Sequence, residues 1–123
     1  MEKQKVFLSE VNSRQIVLDF IDAMNHFDYQ KARSYVTDDF SFVGVLGTRN
    51  GADNYFQDMQ KMKFQYSIIK AFSEADDVCL LYDIQMSGVK VFCCGWYRLK
   101  NQKIDSLQVV FDPRPVLQPS DKN

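Results

Sequence analysis

Apolar residues in the first third of the chain recur at three- and four-residue spacing, and from residue 64 onward they alternate. Val17, Phe20, Ile21, Met24 and Phe27 form one stripe, which predicts a helix over about residues 12–27, with Asn12 or Ser13 as its cap. Asp28 reads as the N-cap of a second, short helix, YQKARSYV, with Tyr29, Ala32 and Val36 along one side. In TDDFSFVGVLGT, Phe40 and Phe42 alternate ahead of two glycines, the pattern of a short strand and a turn. Asn50 reads as the cap of a third helix, GADNYFQDMQKM, whose Ala52, Tyr55, Phe56, Met59 and Met62 again share a face.

The alternating part divides into four strands, FQYSIIKAF, VCLLYDIQM, VKVFCCGWYRL and KIDSLQVVF. They are separated by SEADD, by Ser87-Gly88 and by KNQ, polar turns short enough to join antiparallel neighbours. After Phe111 the chain continues as DPRPVLQPSDKN, whose prolines and polar end predict a flexible, extended tail over about residues 113–123. Three helices followed by an antiparallel meander make an α+β domain, with the helices covering one side of the sheet. One domain spans residues 1–123, with its core at about residues 12–112.

Charge narrows the function classes. Acids and bases nearly cancel, 16 against 15, so no global field favours nucleic acid or an anionic membrane, and neither is expected as a partner. No apolar run approaches the roughly 20 residues needed to cross a bilayer. The opening MEKQKVFLSEVNSRQ has neither the form of a secretory signal nor that of a lipidation motif, so the cytoplasm is the expected location. Cys79, Cys93 and Cys94 lie in apolar strands without CxxC spacing or a histidine cluster, which predicts free thiols and no metal site. Neighbours on a strand point to opposite faces, so Cys93 and Cys94 serve separate surroundings. His26 is expected to stabilise the end of the first helix, and Asp38-Asp39 to be a solvated turn pair.

Three segments match a known family in order and spacing. FIDAMNHFDYQKARSYVTDDFSF, NGADNYFQDM and CGWYRLKNQKIDSLQVVFD resemble the first two helices, the third helix and the last hairpin of the SnoaL-like branch of the nuclear transport factor 2-like superfamily. Ketosteroid isomerase and limonene epoxide hydrolase are relatives of that branch. The resemblance covers about residues 12–112 and implies a cystatin-like cone: three N-terminal helices packed on a strongly curved antiparallel sheet, a pocket between them, and a homodimer. It implies no cofactor.

The equipment of the two named enzymes is missing. Ketosteroid isomerase uses an aspartate base with a tyrosine and a protonated aspartic acid as oxyanion donors. Those positions fall at about Gly44, Phe20 and Gly95, none of which transfers a proton. Of the Asp-Arg-Asp set of limonene epoxide hydrolase, Asp83 matches one aspartate, while Leu81 and Val109 stand where the arginine and second aspartate would be. A water without that orienting partner has no defined position. A polyketide cyclase needs one acid-base residue, and Asp83 is the candidate catalytic group.

The family match turns Leu81, Asp83 and Gln85 inward, together with Cys93, Gly95, Tyr97, Leu107, Val109 and Phe111. The implied pocket is apolar, lined by Phe20, Met24, Phe42, Tyr55, Met59, Leu107, Val109 and Phe111, with Asp83, Gln85 and Tyr97 as its polar groups. Tyr82, Ile84, Trp96, Arg98, Gln108 and Val110 then occupy the outer face and are expected to form a two-fold dimer contact. Two functions follow: a protein that binds a small apolar, cyclic metabolite, with at most single-carboxylate acid-base chemistry, or a non-catalytic dimerisation or protein-binding module whose cavity is filled. A pocket of several hundred Å³ reaching Asp83 separates the first from the second.

Overall fold

The computed structural model describes residues 2–86 and 88–117, with side chains from residue 12 onward except at 86; the last part of the expected flexible tail, 118–123, lies outside the described residues. In chain order these form α1 (Glu2–Asn25), α2 (Tyr29–Arg33), β1 (Val36–Val43), β2 (Thr48–Asn50), α3 (Ala52–Met62), β3 (Tyr66–Glu74), β4 (Asp77–Met86), β5 (Val89–Lys100), β6 (Lys103–Phe111) and α4 (Arg114–Leu117).

The helices follow their apolar stripes. Val17, Phe20, Ile21 and Met24 of α1 are all buried. The helix begins about ten residues earlier than expected, so neither Asn12 nor Ser13 caps it. Ser13 instead lies inside the helix, buried, and its hydroxyl donates to Asp76 Oδ1 at 3.2 Å in the turn before β4. At the other end Phe27 takes a left-handed conformation (φ 59°) and the Asp28 N–H returns to the Ala23 carbonyl at 2.9 Å, closing the helix. His26 Nδ1 donates to the Asp22 carbonyl at 2.8 Å, the stabilising role its position suggests.

Asp28 caps α2 as expected, its carboxylate accepting from the Lys31 N–H at 3.1 Å. Asp38 and Asp39, expected in a turn, are exposed positions of β1. The Arg33 guanidinium ties this region together by pairing with Asp38 of β1 and, at 3.1 Å, with Asp53 of α3. The residue before α3 is Gly51, not Asn50; its φ of 91° is one that glycine adopts without steric cost. Asn50 contributes only its backbone carbonyl, which accepts from the Asn54 amide at 3.0 Å.

Six strands form one sheet in the order β2-β1-β6-β5-β4-β3, with β1 parallel to β6 and every other pair antiparallel. The pairing slips by one residue between Ile68 and Lys70 of β3 and between Arg98 and Leu99 of β5. Such bulges bend a sheet and strengthen its twist, and here they curl it around α1 and α3 as the cone requires. A short amide bridge fixes the sheet's edge to α1: Asn25 accepts from the Tyr66 N–H at 2.6 Å and donates to the Tyr66 carbonyl at 2.9 Å.

One strand faces the other way from its expected orientation. Val78, Leu80, Tyr82 and Ile84 of β4 are buried, so Leu81, Asp83 and Gln85 face outward. Residues directly opposite one another in an antiparallel ladder share a face. Tyr82 is opposite Cys93 and Leu80 is opposite Gly95, and the inward direction of β5 therefore carries Tyr82 and Leu80 inward with it. The frame was displaced by one residue, which reverses every side chain of the strand. In β5 and β6 the expected faces hold, with Cys93, Tyr97, Leu107 and Val109 buried.

Candidate functional site

The closed end of the cone is filled by side chains. Phe20 meets Phe56 and Tyr97 edge-on, with ring centroids 6.3 and 6.2 Å apart. Around them cluster four phenols, Tyr55, Tyr66, Tyr82 and Tyr97, with the Tyr66 and Tyr82 rings edge-on at 5.3 Å. Burial pushes all four hydroxyls above the usual tyrosine range, so they keep their protons at neutral pH. The Tyr97 hydroxyl is enclosed without a well-formed hydrogen bond among the described residues. Gly95 makes the cluster possible, since a Cβ there would lie 3.1 Å from ring carbons of both Tyr82 and Tyr97.

The open end has space. A pocket of about 420 Å³ lies between the β1–β2 turn, α3 and the end of β6. Phe42, Val45 and Leu46 form one wall, Tyr55, Met59 and Met62 of α3 a second, and Phe64, Phe111 and Val116 complete it. The Tyr55 ring is buried edge-on against Phe40 and Phe56, at 4.9 and 5.4 Å, which fixes the pocket floor to the core. Val116 belongs to α4, where the tail was expected to be extended; the Asp112 carboxylate accepts from the Arg114 N–H at 3.1 Å and opens that turn.

Its charge is confined to one pair. Arg49 of β2 reaches across to Asp58 of α3, with Nε to Oδ2 at 2.8 Å and Nη2 to Oδ1 at 3.4 Å. The two side chains keep 44% and 33% of their surface exposed, so the pair sits at the rim of the pocket, partly in water. Its hydrogen bond and charge hold the guanidinium's pKa above the ordinary value.

Of the expected pocket residues, Phe42, Tyr55, Met59 and Phe111 line this space. Phe20, Met24, Tyr97, Leu107 and Val109 are core instead, because the phenol cluster occupies the space they were expected to enclose. Asp83 and Gln85 are on the far side of the sheet. Asp83 lies 3.7 Å from Lys90 Nζ and opposite Phe92, away from the pocket, and Gln85 is exposed. Arg49 carries no sequence signal, because the three-residue strand that holds it has no periodicity to read. Asp58 was findable: it follows Tyr55 by three positions and so shares its face of α3.

The outer face of the sheet is a second surface. One row across it runs Phe72, Cys79, Trp96 and Gln108, and the next runs Lys70, Leu81, Cys94 and Val110. Phe72, Phe92, Trp96 and Val110 are exposed there. The indole N–H of Trp96 donates to Asp77 at 2.8 Å, and the Arg98 guanidinium lies over the indole ring at 4.6 Å. The Cys79 and Cys94 sulfurs approach to 3.2 Å as free thiols.

The family model of the SnoaL-like domain matches residues 17–107. An NTF2-like protein of unknown function from Cytophaga hutchinsonii superposes with a TM-score of 0.84 at 43% identity, over 86% of this chain and 95% of that one. A candidate SnoaL-like polyketide cyclase from Jannaschia sp. gives 0.77 at 13% identity, over 89% and 91%. An LEH-like epoxide hydrolase from M. tuberculosis gives 0.75 at 16%, over 85% and 86%. The last two likenesses concern the fold alone. Among curated proteins none matches the chain.

Proposed function

Because the chain belongs to the SnoaL-like domain family, we propose that it binds a small apolar molecule at the open end of the cone. The observation that carries this reading is the pocket of about 420 Å³ walled by Phe42, Leu46, Met59, Met62 and Phe111. A concave, apolar space with few polar groups is the usual form of a small-molecule site. The polar side chains lining the space that a ligand could meet are few: Arg49, Asp58 and Thr48. Binding is favoured over proton-transfer chemistry because Tyr55 holds its proton and Asp58 is already engaged by Arg49. Methyl-labelled methionine NMR tests the reading. A naphthalene-bodied probe should shift the Met59 and Met62 methyls and leave Met24, in the packed core, unmoved. Shifts confined to the Trp96 indole would place the ligand on the other side of the sheet and defeat the reading.

The outer face supports a second role, a two-fold contact with another copy of the chain. Phe72, Phe92, Trp96 and Val110 are apolar and exposed, and Lys70, Asp77, Lys90 and Arg98 surround them with both signs of charge. An apolar centre with a mixed polar rim suits a self-complementary interface. Arg98 and Gln108 of the expected contact remain on this face, whereas Tyr82 and Ile84 do not. Sedimentation at micromolar concentration should give twice the chain mass, falling to the chain mass in Trp96→Glu. A monomer in the unaltered protein rejects the contact.

A further inference from the structure

Resting on the binding reading above, we propose that the Arg49–Asp58 pair selects the ligand's head group: a neutral group that both accepts and donates a hydrogen bond, such as a primary amide or a hydroxyl, on an apolar body.

The pair joins two walls of the pocket, one residue from β2 and one from α3. Arg49 has five N–H donors and the contact with Asp58 uses two, so donors remain for a ligand. The Asp58 carboxylate likewise retains lone pairs beyond the two contacts. A body that fills the apolar space displaces water from both side chains, and a charged group stripped of water must be given another partner. A wholly apolar ligand gives it none. A carboxylate satisfies Arg49 but lies against Asp58, and an ammonium meets the reverse conflict. A primary amide gives its carbonyl to Arg49 and its N–H to Asp58, and a hydroxyl also donates and accepts, so the ion pair stays intact. The pair thus excludes the charged and the headless ligands by different costs and admits the neutral polar one.

The test uses five probes with one naphthalene body: naphthylacetamide, naphthylethanol, naphthylacetate, naphthylmethylamine and methylnaphthalene. Affinities are read from the Met59 and Met62 methyl shifts. In the unaltered protein the amide and the alcohol should bind about tenfold more tightly than the other three, the scale of one charge-assisted hydrogen bond. Asp58→Asn should move the preference to naphthylacetate, and Arg49→Gln to naphthylmethylamine. The reversed pair, Arg49→Asp with Asp58→Arg, should restore the preference for the amide and also guards against a fold defect in either single variant. Equal affinities for all five probes, or one ranking unchanged across the variants, would overturn the selection while leaving the apolar pocket standing. If no probe moves either methyl, methylnaphthalene included, the binding reading falls and the selection with it.

Discussion

The two faces of β4 and β5 are built from similar residues and end in opposite surroundings. Inside, Leu80, Tyr82, Ile84, Cys93 and Tyr97 are buried in the core. Outside, Phe92 and Trp96 are exposed and Leu81 and Cys94 half-buried. Both faces are apolar in composition, so hydrophobicity alone does not distinguish the core from a surface awaiting a partner. What separates them is register: a face is internal where the strands on either side agree to point at α1 and α3.

The strongest way to break this comparison is to truncate one leucine on each face. Leu80→Ala should cost roughly 2–5 kcal/mol, the range for an emptied core site, and Leu81→Ala less than about 1 kcal/mol. Denaturant titration measures both, and equal costs would mean that the faces are not distinct.

Alkali should act on the inner face next. The Cys93 thiol is pushed from 9.0 up to about 11 by burial and, secondarily, by the charge of Asp83. The phenols of Tyr55, Tyr66, Tyr82 and Tyr97 are raised above 10.0, mainly by burial. These groups are neutral when protonated, and the unfolded chain ionises them at their ordinary values. Their effect on stability is therefore constant below about pH 9, and stability falls as pH rises from there through 11 and beyond. Melting temperature against pH should fall across that range, and of the six tyrosines the four in the cluster should add their tyrosinate absorbance only at the melt. Native-state ionisation of all the tyrosines near their ordinary pKa would contradict the enclosed cluster.

A smaller effect is expected at Tyr97. Its hydroxyl is buried without a well-formed hydrogen-bond partner among the described residues, so Tyr97→Phe should leave stability unchanged or raise it by up to about 1 kcal/mol. A clear loss would show that the hydroxyl is satisfied in solution. Smallest of all is Asp83→Asn. Its partner Lys90 is largely exposed, so the change should cost less than about 1 kcal/mol and alter probe binding at the open end less than about twofold. Loss of binding in that variant would return Asp83 to the site.

Most of the fold was legible because period and punctuation agree. The 3.6-residue stripe of α1 and α3, the Asp28 cap and the alternation of the last four strands each point to one structure. The face of β4 was legible too, since Val78, Leu80, Tyr82 and Ile84 are plainly the more apolar set. The family's alignment displaced that evidence by one residue, and with it the role assigned to Asp83. The site was only partly legible. Phe42, Tyr55, Met59 and Phe111 lie in recognisable elements, but Arg49 sits on a strand of three residues and Val116 on a helix of four, too short for any period to mark. How far the phenols fill the cone depends on side-chain volume in three dimensions, which no one-dimensional pattern records.

The place of β6 in the sheet has a consequence for how the chain is made. It lies between β1 and β5 although it is the last of the six described strands in chain order, and β1 touches the remainder of the sheet only through it. A nascent chain halted at Lys100 would hold the β3–β5 meander and the β1–β2 hairpin as two fragments, each with a raw strand edge. Joining them waits for residues 103–111, so the sheet closes late and over a long sequence separation. Until then the unpaired edge of β5 is open to neighbouring nascent chains, and the interval between β5 and β6 leaving the ribosome is when a chaperone would matter most.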